Sequence, residues 1–241
     1  MSKEQKSWFI ISNGSALVYE YPTFQSSCVS EVVYGESCKI LIIEKDWIQI
    51  KCEDGYVGWI NSFYGMKKME RNNPKYLIAY PNEDGLFSCE YPFGSMLRDK
   101  VSGTKPFNEK LGLNNVIKIG YSLLGIPYRW GGKSSLGFDC SGLVQSVLKI
   151  CGLNIPRDAQ AQKDFFHNTQ IDLYDAQPGD LHFFGEQDNV NHVGFSTGKA
   201  GLLHSQGCVK KDSIDSSING YNKKLLDIYL STHSIKCKFK Q

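Results

Sequence analysis

Chemistry in this chain starts at Cys140, in the stretch Phe138-Asp139-Cys140-Ser141-Gly142-Leu143-Val144-Gln145. A cysteine there sits between two polar residues, just ahead of an apolar run. The run predicts a helix over 141–150 that ends at Cys151-Gly152 and has Cys140 at its N-terminus. Unpaired backbone N–H groups and the helix dipole favour negative charge at that end. Beside a histidine, such a position can bring a thiol from about 8.5 down to roughly 3.5–7.5, which makes the thiolate a strong nucleophile. Cys151, at the far end of the same helix, has no such help.

A nucleophile of this kind needs a base, and the base needs something to orient it. Of the five histidines, His192 opens "HVGF" and His204 lies in "LLHS". As neighbours on adjacent antiparallel strands, His192 would face Cys140 and His204 would hydrogen-bond to His192. A neutral histidine orienter fixes the ring but stabilises an imidazolium less than a carboxylate does. Two other readings stand beside this one. A cysteine at a helix start is often a packing residue. His182, His192, His204 and Cys208 are potential zinc ligands, although their spacing fits no common pattern. Residue types and spacing leave packing and catalysis both open.

The elements that must position these groups fall into two patterns. Residues 10–19 read as an opening strand region, and 16–19, 29–33, 39–43, 47–51 and 56–60 are short strands rich in β-branched and aromatic residues. Turns at Tyr34-Gly35-Glu36, Glu44-Lys45-Asp46 and Glu53-Asp54-Gly55 separate them, which predicts a small barrel. Residues 66–112 are less regular. Asn72-Asn73-Pro74 reads as a linker. Residues 76–80, 86–91 and 95–100 read either as strands of a reduced second barrel or as a connecting strap. From Leu113 the periodicity becomes helical: Asn114 or Asn115 is a candidate cap for a helix through Val116, Ile119 and Leu123 that stops at Gly125. The stretches 180–184, 192–197 and 202–205 are strand-like. Helices followed by successive strands predict an α+β domain.

Composition narrows the function classes. The chain has 241 residues, with 27 Lys+Arg against 25 Asp+Glu, so charge makes no case for nucleic-acid binding. Lys67, Lys68 and Arg71 are read as a solvated loop. No stretch approaches the roughly 18 apolar residues of a membrane span. Trp8-Phe9-Ile10-Ile11 is broken by Ser12-Asn13-Gly14, too short for the ~7–15-residue core of a secretory signal, and a cytoplasmic location is the expectation. The eight cysteines include no Cys-x-x-Cys pair. Most are expected to be small buried hydrophobes rather than disulfide partners.

Two families resemble these patterns. The stretch "YGESCKILIIEKDWIQIKCEDGYVGWI" resembles a bacterial SH3-like domain, placed over residues 1–68. Residues 69–112 are then a reduced second SH3-like barrel or a linker, and 113–241 a catalytic domain. Within that domain, "GIPYRWGGKSSLGFDCSGLVQ", "IPRDAQAQ", "QPGDLHFF" and "NHVGFSTGKAGLLHSQG" are similar in kind and order to the NlpC-type cysteine peptidases of bacterial cell-wall peptide. The resemblance implies a papain-like fold with Cys140 as nucleophile, His192 as base and His204 as third polar residue. It implies Tyr128 beside the nucleophile as an oxyanion donor, with the Cys140 backbone N–H as a second. No metal or other cofactor is implied.

Joined to SH3-like domains, the family resembles γ-D-glutamyl-diamino acid endopeptidases, which cut between D-Glu and diaminopimelate or Lys in peptidoglycan stem peptides. The expected substrate carries a free N-terminal L-Ala amine, and its use is recycling of soluble fragments. Asp139 is a candidate for the amine, against the simpler role of helix N-cap. Ser141 and Arg157 suit the D-Glu α-carboxylate, against a surface salt bridge for Arg157. Glu20, Glu31 and Tyr56 are candidates from the barrel. Ala159 departs from the serine more usual there, which puts the substrate contact in doubt rather than the chemistry. Action on intact wall or on another peptide amide is an alternative. So is a wall-binding protein with an inert module, against which the presence of Cys140, His192 and His204 counts.

Overall fold

The computed structural model describes residues 7–187 and 189–240. They form two compact units: the chain up to Glu109 with Trp130–Leu136, and Lys110–Arg129 with Gly137 onward.

In the first unit, β1 (Trp8–Ile11), β2 (Ser15–Tyr19), β3 (Cys28–Val33), β4 (Ser37–Glu44), β5 (Trp47–Lys51), β6 (Val57–Asn61) and β7 (Gly65–Lys68) form a seven-stranded sheet in the order β3-β2-β6-β5-β4-β1-β7. Alternation along β1, β2 and β5 sends Phe9, Ile11, Ala16, Val18, Ile48 and Ile50 inward, where they meet Val32, Cys38, Cys52 and Ile60. Lys67 and Lys68 lie on the edge strand β7 rather than in a loop, exposed as charged edges commonly are. Arg71 is not simply solvated: it pairs with Glu53 at 2.8 Å and stacks 4.8 Å from the Trp8 ring.

Beyond β7 the regular structure is sparse. β8 (Tyr76–Ile78), β9 (Met96–Leu97) and β10 (Thr104–Pro106) make a three-stranded sheet, so the strand expected over 95–100 is reduced to two residues. The strand expected over 86–91 does not form. The Asn82 side chain accepts from the Asp84 and Leu86 N–H groups, and the Ser88 hydroxyl accepts from Glu90 and Tyr91. Local side-chain bonds of this kind take donors a ladder would need. β11 (Lys133–Ser134) also belongs to this unit.

The second unit contains α1 (Val116–Tyr121), β12 (Gly137–Phe138), α2 (Cys140–Cys151), α3 (Ala159–Phe165), β13 (Gln170–Ile171), β14 (Leu181–Glu186), β15 (Asn189–Gly198), β16 (Gly201–Gln206), β17 (Cys208–Ser213), α4 (Lys223–Asp227) and β18 (Tyr229–His233). The order β13-β18-β14-β15-β16-β17 makes an antiparallel sheet, so the fold is α+β. α2 is buried on nearly every side and packs on β15 and β16. It stops where Gly152 takes a left-handed conformation (φ 102°) and its N–H reaches the Leu148 and Lys149 carbonyls. α1 is shorter than its periodicity suggests. Asn115 is already helical, and its side chain donates back to the Leu111 carbonyl instead of capping.

All eight cysteines are free thiols, but only Cys38, Cys52, Cys140 and Cys151 are fully buried, whereas Cys89 and Cys237 are exposed. Among the described residues no helix is long and apolar enough to cross a membrane.

Candidate active site

Cys140 opens α2. Asp139 is its N-cap, with extended backbone and a carboxylate that accepts from the Gly142 N–H at 2.6 Å. The helix terminus does not by itself bring the Cys140 thiol down. Burial, then the adjacent Asp139 carboxylate, pushes the Cys140 thiol up to about 11, while the Val193 and Ser141 N–H groups and Arg157 pull the other way without prevailing. A helix terminus is a weak influence beside desolvation of a nearly enclosed sulfur. The thiol donates to the Asn191 carbonyl, with sulfur and oxygen 4.0 Å apart. Cys140 therefore touches both chain neighbours of His192.

His192 and His204 are brought together by strand register. β15 and β16 pair Phe195 with Leu203, which sets Gly194 opposite His204 and makes the two histidines diagonal neighbours. A Cβ on Gly194 would stand 2.8 Å from the His204 Cβ and 2.7 Å from a Leu202 methyl, so only glycine lets the His204 ring lie over this strand. His192 Nε2 and His204 Nδ1 are 2.7 Å apart, with the rings perpendicular. Burial holds both neutral, His192 down to about 3 with His204 and Lys210 adding to the effect, and His204 down to about 4 against the pull of Asp212.

The chain of contacts continues to a residue that sequence reasoning missed. His204 Nε2 lies 3.1 Å from Asp212 Oδ2 on β17, which also accepts from Asn222 Nδ2 at 2.9 Å and faces Lys210 Nζ at 3.3 Å. Burial works against the Asp212 carboxylate, but the Asn222 bond, His204 and Lys210 outweigh it and hold the group below its ordinary value. The signal was faint: Asp212 shares a strand face with Lys210, the direct partner of His204, and only the β16–β17 register reveals this.

Tyr128 is held by its N–H to the Gly207 carbonyl at 2.8 Å. Burial, then the nearness of Cys140 and Asp139, pushes its phenol up to about 12, so it stays a proton donor. Asp139, Ser141 and Arg157 form one buried cluster. The Arg157 fork grips both Asp139 oxygens, Nη1 at 3.0 Å from Oδ1 and Nη2 on Oδ2, and Nη1 also donates to the Ser141 hydroxyl at 2.8 Å. Arg157 is thus no surface ion pair, and Asp139 serves both as N-cap and as its counter-ion. The Gln162 side chain of α3 braces the cluster by donating to the Ser141 and Pro156 carbonyls at 3.0 and 2.9 Å. Ala159 is the first residue of α3 and is buried.

The barrel candidates lie in the first unit. The buried Glu31 carboxylate accepts from the Lys133 N–H at 2.6 Å and the Ser134 hydroxyl at 3.0 Å. The Lys133 ammonium meets Asp54 at 3.1 Å. Tyr56 packs on the barrel core and donates its N–H to Asp54, and Glu20 is exposed. The zinc alternative fails on its first ligand: His182 has one ring nitrogen on the Thr232 hydroxyl and the other on the Lys199 carbonyl. Among the described residues no three His, Cys, Asp or Glu side chains are placed to hold a metal.

A cysteine at the head of a buried helix, packed on an antiparallel sheet that supplies a histidine pair, defines a papain-like cysteine peptidase domain, and the first unit carries an SH3-like barrel. The chain belongs to the NlpC/P60 family: residues 125–230 match that family's model, and residues 18–62 match the bacterial dipeptidyl-peptidase Sh3 domain. Dipeptidyl-peptidase 6 of Lysinibacillus sphaericus is 37% identical over 235 residues, spanning 79% of this chain and 84% of that protein. A γ-D-glutamyl-L-lysine dipeptidyl-peptidase of Bacillus cereus is 37% identical over 223 residues, spanning 73% of this chain and 66% of that one. Its Bacillus subtilis namesake is 27% identical over 213 residues, with 73% and 71% covered. The crystal structure of an NlpC/P60 family protein from Bacillus cereus ATCC 10987 superposes with a TM-score of 0.76 over 95% of this chain and 99% of its own, at 19% identity, a likeness of fold.

Proposed function

We propose that this protein hydrolyses the γ-D-Glu–diamino acid bond of peptidoglycan stem peptides that begin with a free L-Ala. The observation that carries the reading is the 2.7 Å bond between His192 and His204 on the strands that pack against the helix headed by Cys140. With His192 Nε2 committed to His204, Nδ1 is the nitrogen left for the thiol proton. Burial favours the neutral form of both Cys140 and His192, so proton transfer accompanies attack. The thiol proton passes to His192 Nδ1 as sulfur bonds to the γ-carbonyl carbon of D-Glu. Tyr128 and the Cys140 N–H stabilise the resulting oxyanion. The C–N bond then breaks, His192 protonates the departing amine, and a thioester remains. Water adds to it, giving a proton to His192, and the γ-carboxylate leaves as the thiol is restored.

The choice of substrate is supported by the relatives' names and by the Asp139–Arg157–Ser141 cluster. That cluster offers an anion and a cation side by side, suited to a substrate end that carries both an ammonium and a carboxylate, as L-Ala-γ-D-Glu does. An acylated amine carries no charge to meet the carboxylate, so the reading expects N-acetylated peptides to be poor substrates. The same reading puts the reaction on soluble fragments in the cytoplasm, in the service of recycling, and the eight free thiols suit a reducing compartment.

The test is mass spectrometry of L-Ala-γ-D-Glu-meso-diaminopimelate, its L-Lys counterpart and their N-acetylated twins, with Cys140→Ala as control. Release of L-Ala-D-Glu from the free-amine peptides alone is the expected result. Equal cleavage of the acetylated twins would sink the amine requirement, and cleavage of none would sink the substrate.

A further inference from the structure

We propose that Asp212 is a positioning residue that sets the tautomers of both active-site histidines; the proposal rests on the reading of His192 as the base. The argument is one of donors and acceptors along a single line. A carboxylate can only accept. Asp212 Oδ2, 3.1 Å from His204 Nε2, therefore requires the His204 proton on Nε2 and leaves a lone pair on His204 Nδ1. That lone pair faces His192 Nε2 at 2.7 Å, so His192 in turn carries its proton on Nε2. What remains on His192 is an unprotonated Nδ1, the form a base must have. Without an acceptor at the far end, the two rings could pass the bond the other way. His204 would then donate from Nδ1, and His192 would hold its proton on Nδ1, where it cannot receive one from the thiol.

The surroundings suit this role. Asn222 donates to Asp212 with its side-chain amide while its oxygen caps α4 through the Leu225 N–H, so the carboxylate is braced from a separate element. Lys210, on the same face of β17, helps keep Asp212 ionised. The Asp212 charge also lies in line with the positive charge that His192 gains during attack, which a histidine pair alone would offset poorly.

The experiment is long-range proton–nitrogen NMR on protein carrying ¹⁵N-labelled histidine at pH 7.5, together with kcat and KM on the tripeptide substrate. His192→Gln and His204→Gln identify the signals. In the unmodified protein both rings are expected to carry the proton on Nε2. In Asp212→Leu, His192 is expected to show an Nδ1–H population, with kcat lower by about 10- to 100-fold and KM unchanged. Asp212→Glu, which keeps the acceptor, is expected to retain the Nε2–H forms and most of kcat. An Nδ1–H form of His192 in the unmodified protein would overturn the proposal without need of any variant. So would unchanged tautomers in folded Asp212→Leu, whatever its kcat. The tautomers do not depend on the substrate, so failure of the peptidase reading, seen as equal turnover by Cys140→Ala, is a separate outcome.

Discussion

The six-stranded sheet carries four buried histidines that burial alone does not distinguish. His192 and His204 form one cluster. His182 on β14 and His233 on β18 stand outside it and on opposite faces of the sheet, since His233 pairs in register with Leu181 and His182 with Thr232. Desolvation drives His182 down to about 4 and lowers His233 as well, just as it does the first pair. The difference lies in where the bonds end. His182 is closed off by the Thr232 hydroxyl, itself bonded to Tyr229, and by the Lys199 carbonyl; His233 is closed by the Phe166 carbonyl and the Ser231 hydroxyl. Each nitrogen of these two has a partner inside the fold. In the His192–His204 cluster the line ends on a carboxylate at one side, and at the other is His192 Nδ1, the nitrogen that the proposed mechanism uses. Phe184 marks the divide, its ring 5.7 Å from His192 and 6.1 Å from Tyr229. A buried neutral histidine becomes a base only when one nitrogen is left for chemistry and the other is tied to a fixed acceptor.

The largest effects should fall on the His192–His204 side alone. Cys140→Ala and His192→Ala are each expected to lower kcat by about 10⁴-fold or more, since nucleophile and base act as a unit. Peptide hydrolysis followed by mass spectrometry reads this. Retention of a tenth of the activity in either would break the comparison.

Gly194→Ala sharpens it next. The new methyl must displace the His204 Cβ and the Leu203 carbonyl as well as the Leu202 side chain, and a displacement of catalytic groups by a fraction of an ångström to one ångström costs about 10- to 100-fold. The expected loss is in kcat with KM nearly constant.

His182→Ala tests the other side. It takes one partner from the Thr232 hydroxyl, which keeps Tyr229, and one from the Lys199 carbonyl, which keeps the Ser196 hydroxyl, and about 1–3 kcal/mol of stability should be lost. Urea unfolding measures that, and kcat per folded molecule should match the unmodified protein. A fall in kcat would mean that His182 is coupled to the His192–His204 pair.

The smallest effect concerns pH. Each of these histidines has a folded pKa below the unfolded value near 6.5, so between the two the unfolded chain binds more protons. Stability is fully present above that value and is lost as pH falls toward the folded values of about 3 to 4. At pH 5.5 the cost is about 1 kcal/mol per histidine. Thermal melts should therefore show Tm declining below pH 6.5, and His182→Ala should flatten the decline without shifting the pH–rate profile.

Much of this was legible in the residues. The barrel strands showed in alternation and turn chemistry, and β2 to β6 fall where 16–19, 29–33, 39–43, 47–51 and 56–60 place them, within a residue or three at the ends. The start of α2 was legible because Asp139 is a good cap ahead of an apolar run, and its end because Gly152 tolerates a left-handed turn. The stretch 86–91 stayed open between strand and strap because the nearby Asn82 and Ser88 side chains compete for donors, a contest that hydrophobic pattern does not register. α3, β17 and β18 passed unnoticed, being short and weakly periodic. Asp212 went with them.

By itself, then, the sequence determined the two element patterns, the cysteine at a helix start and a histidine in each of two successive strand-like stretches, because those are local properties of spacing and residue type. Tertiary structure alone decided that Arg157 grips Asp139, that the Cys140 thiol is raised rather than lowered, and that Asp212 closes the line behind His204. These depend on strand register and on exclusion of water. Both are set by groups far apart in the chain, which no local reading can sum.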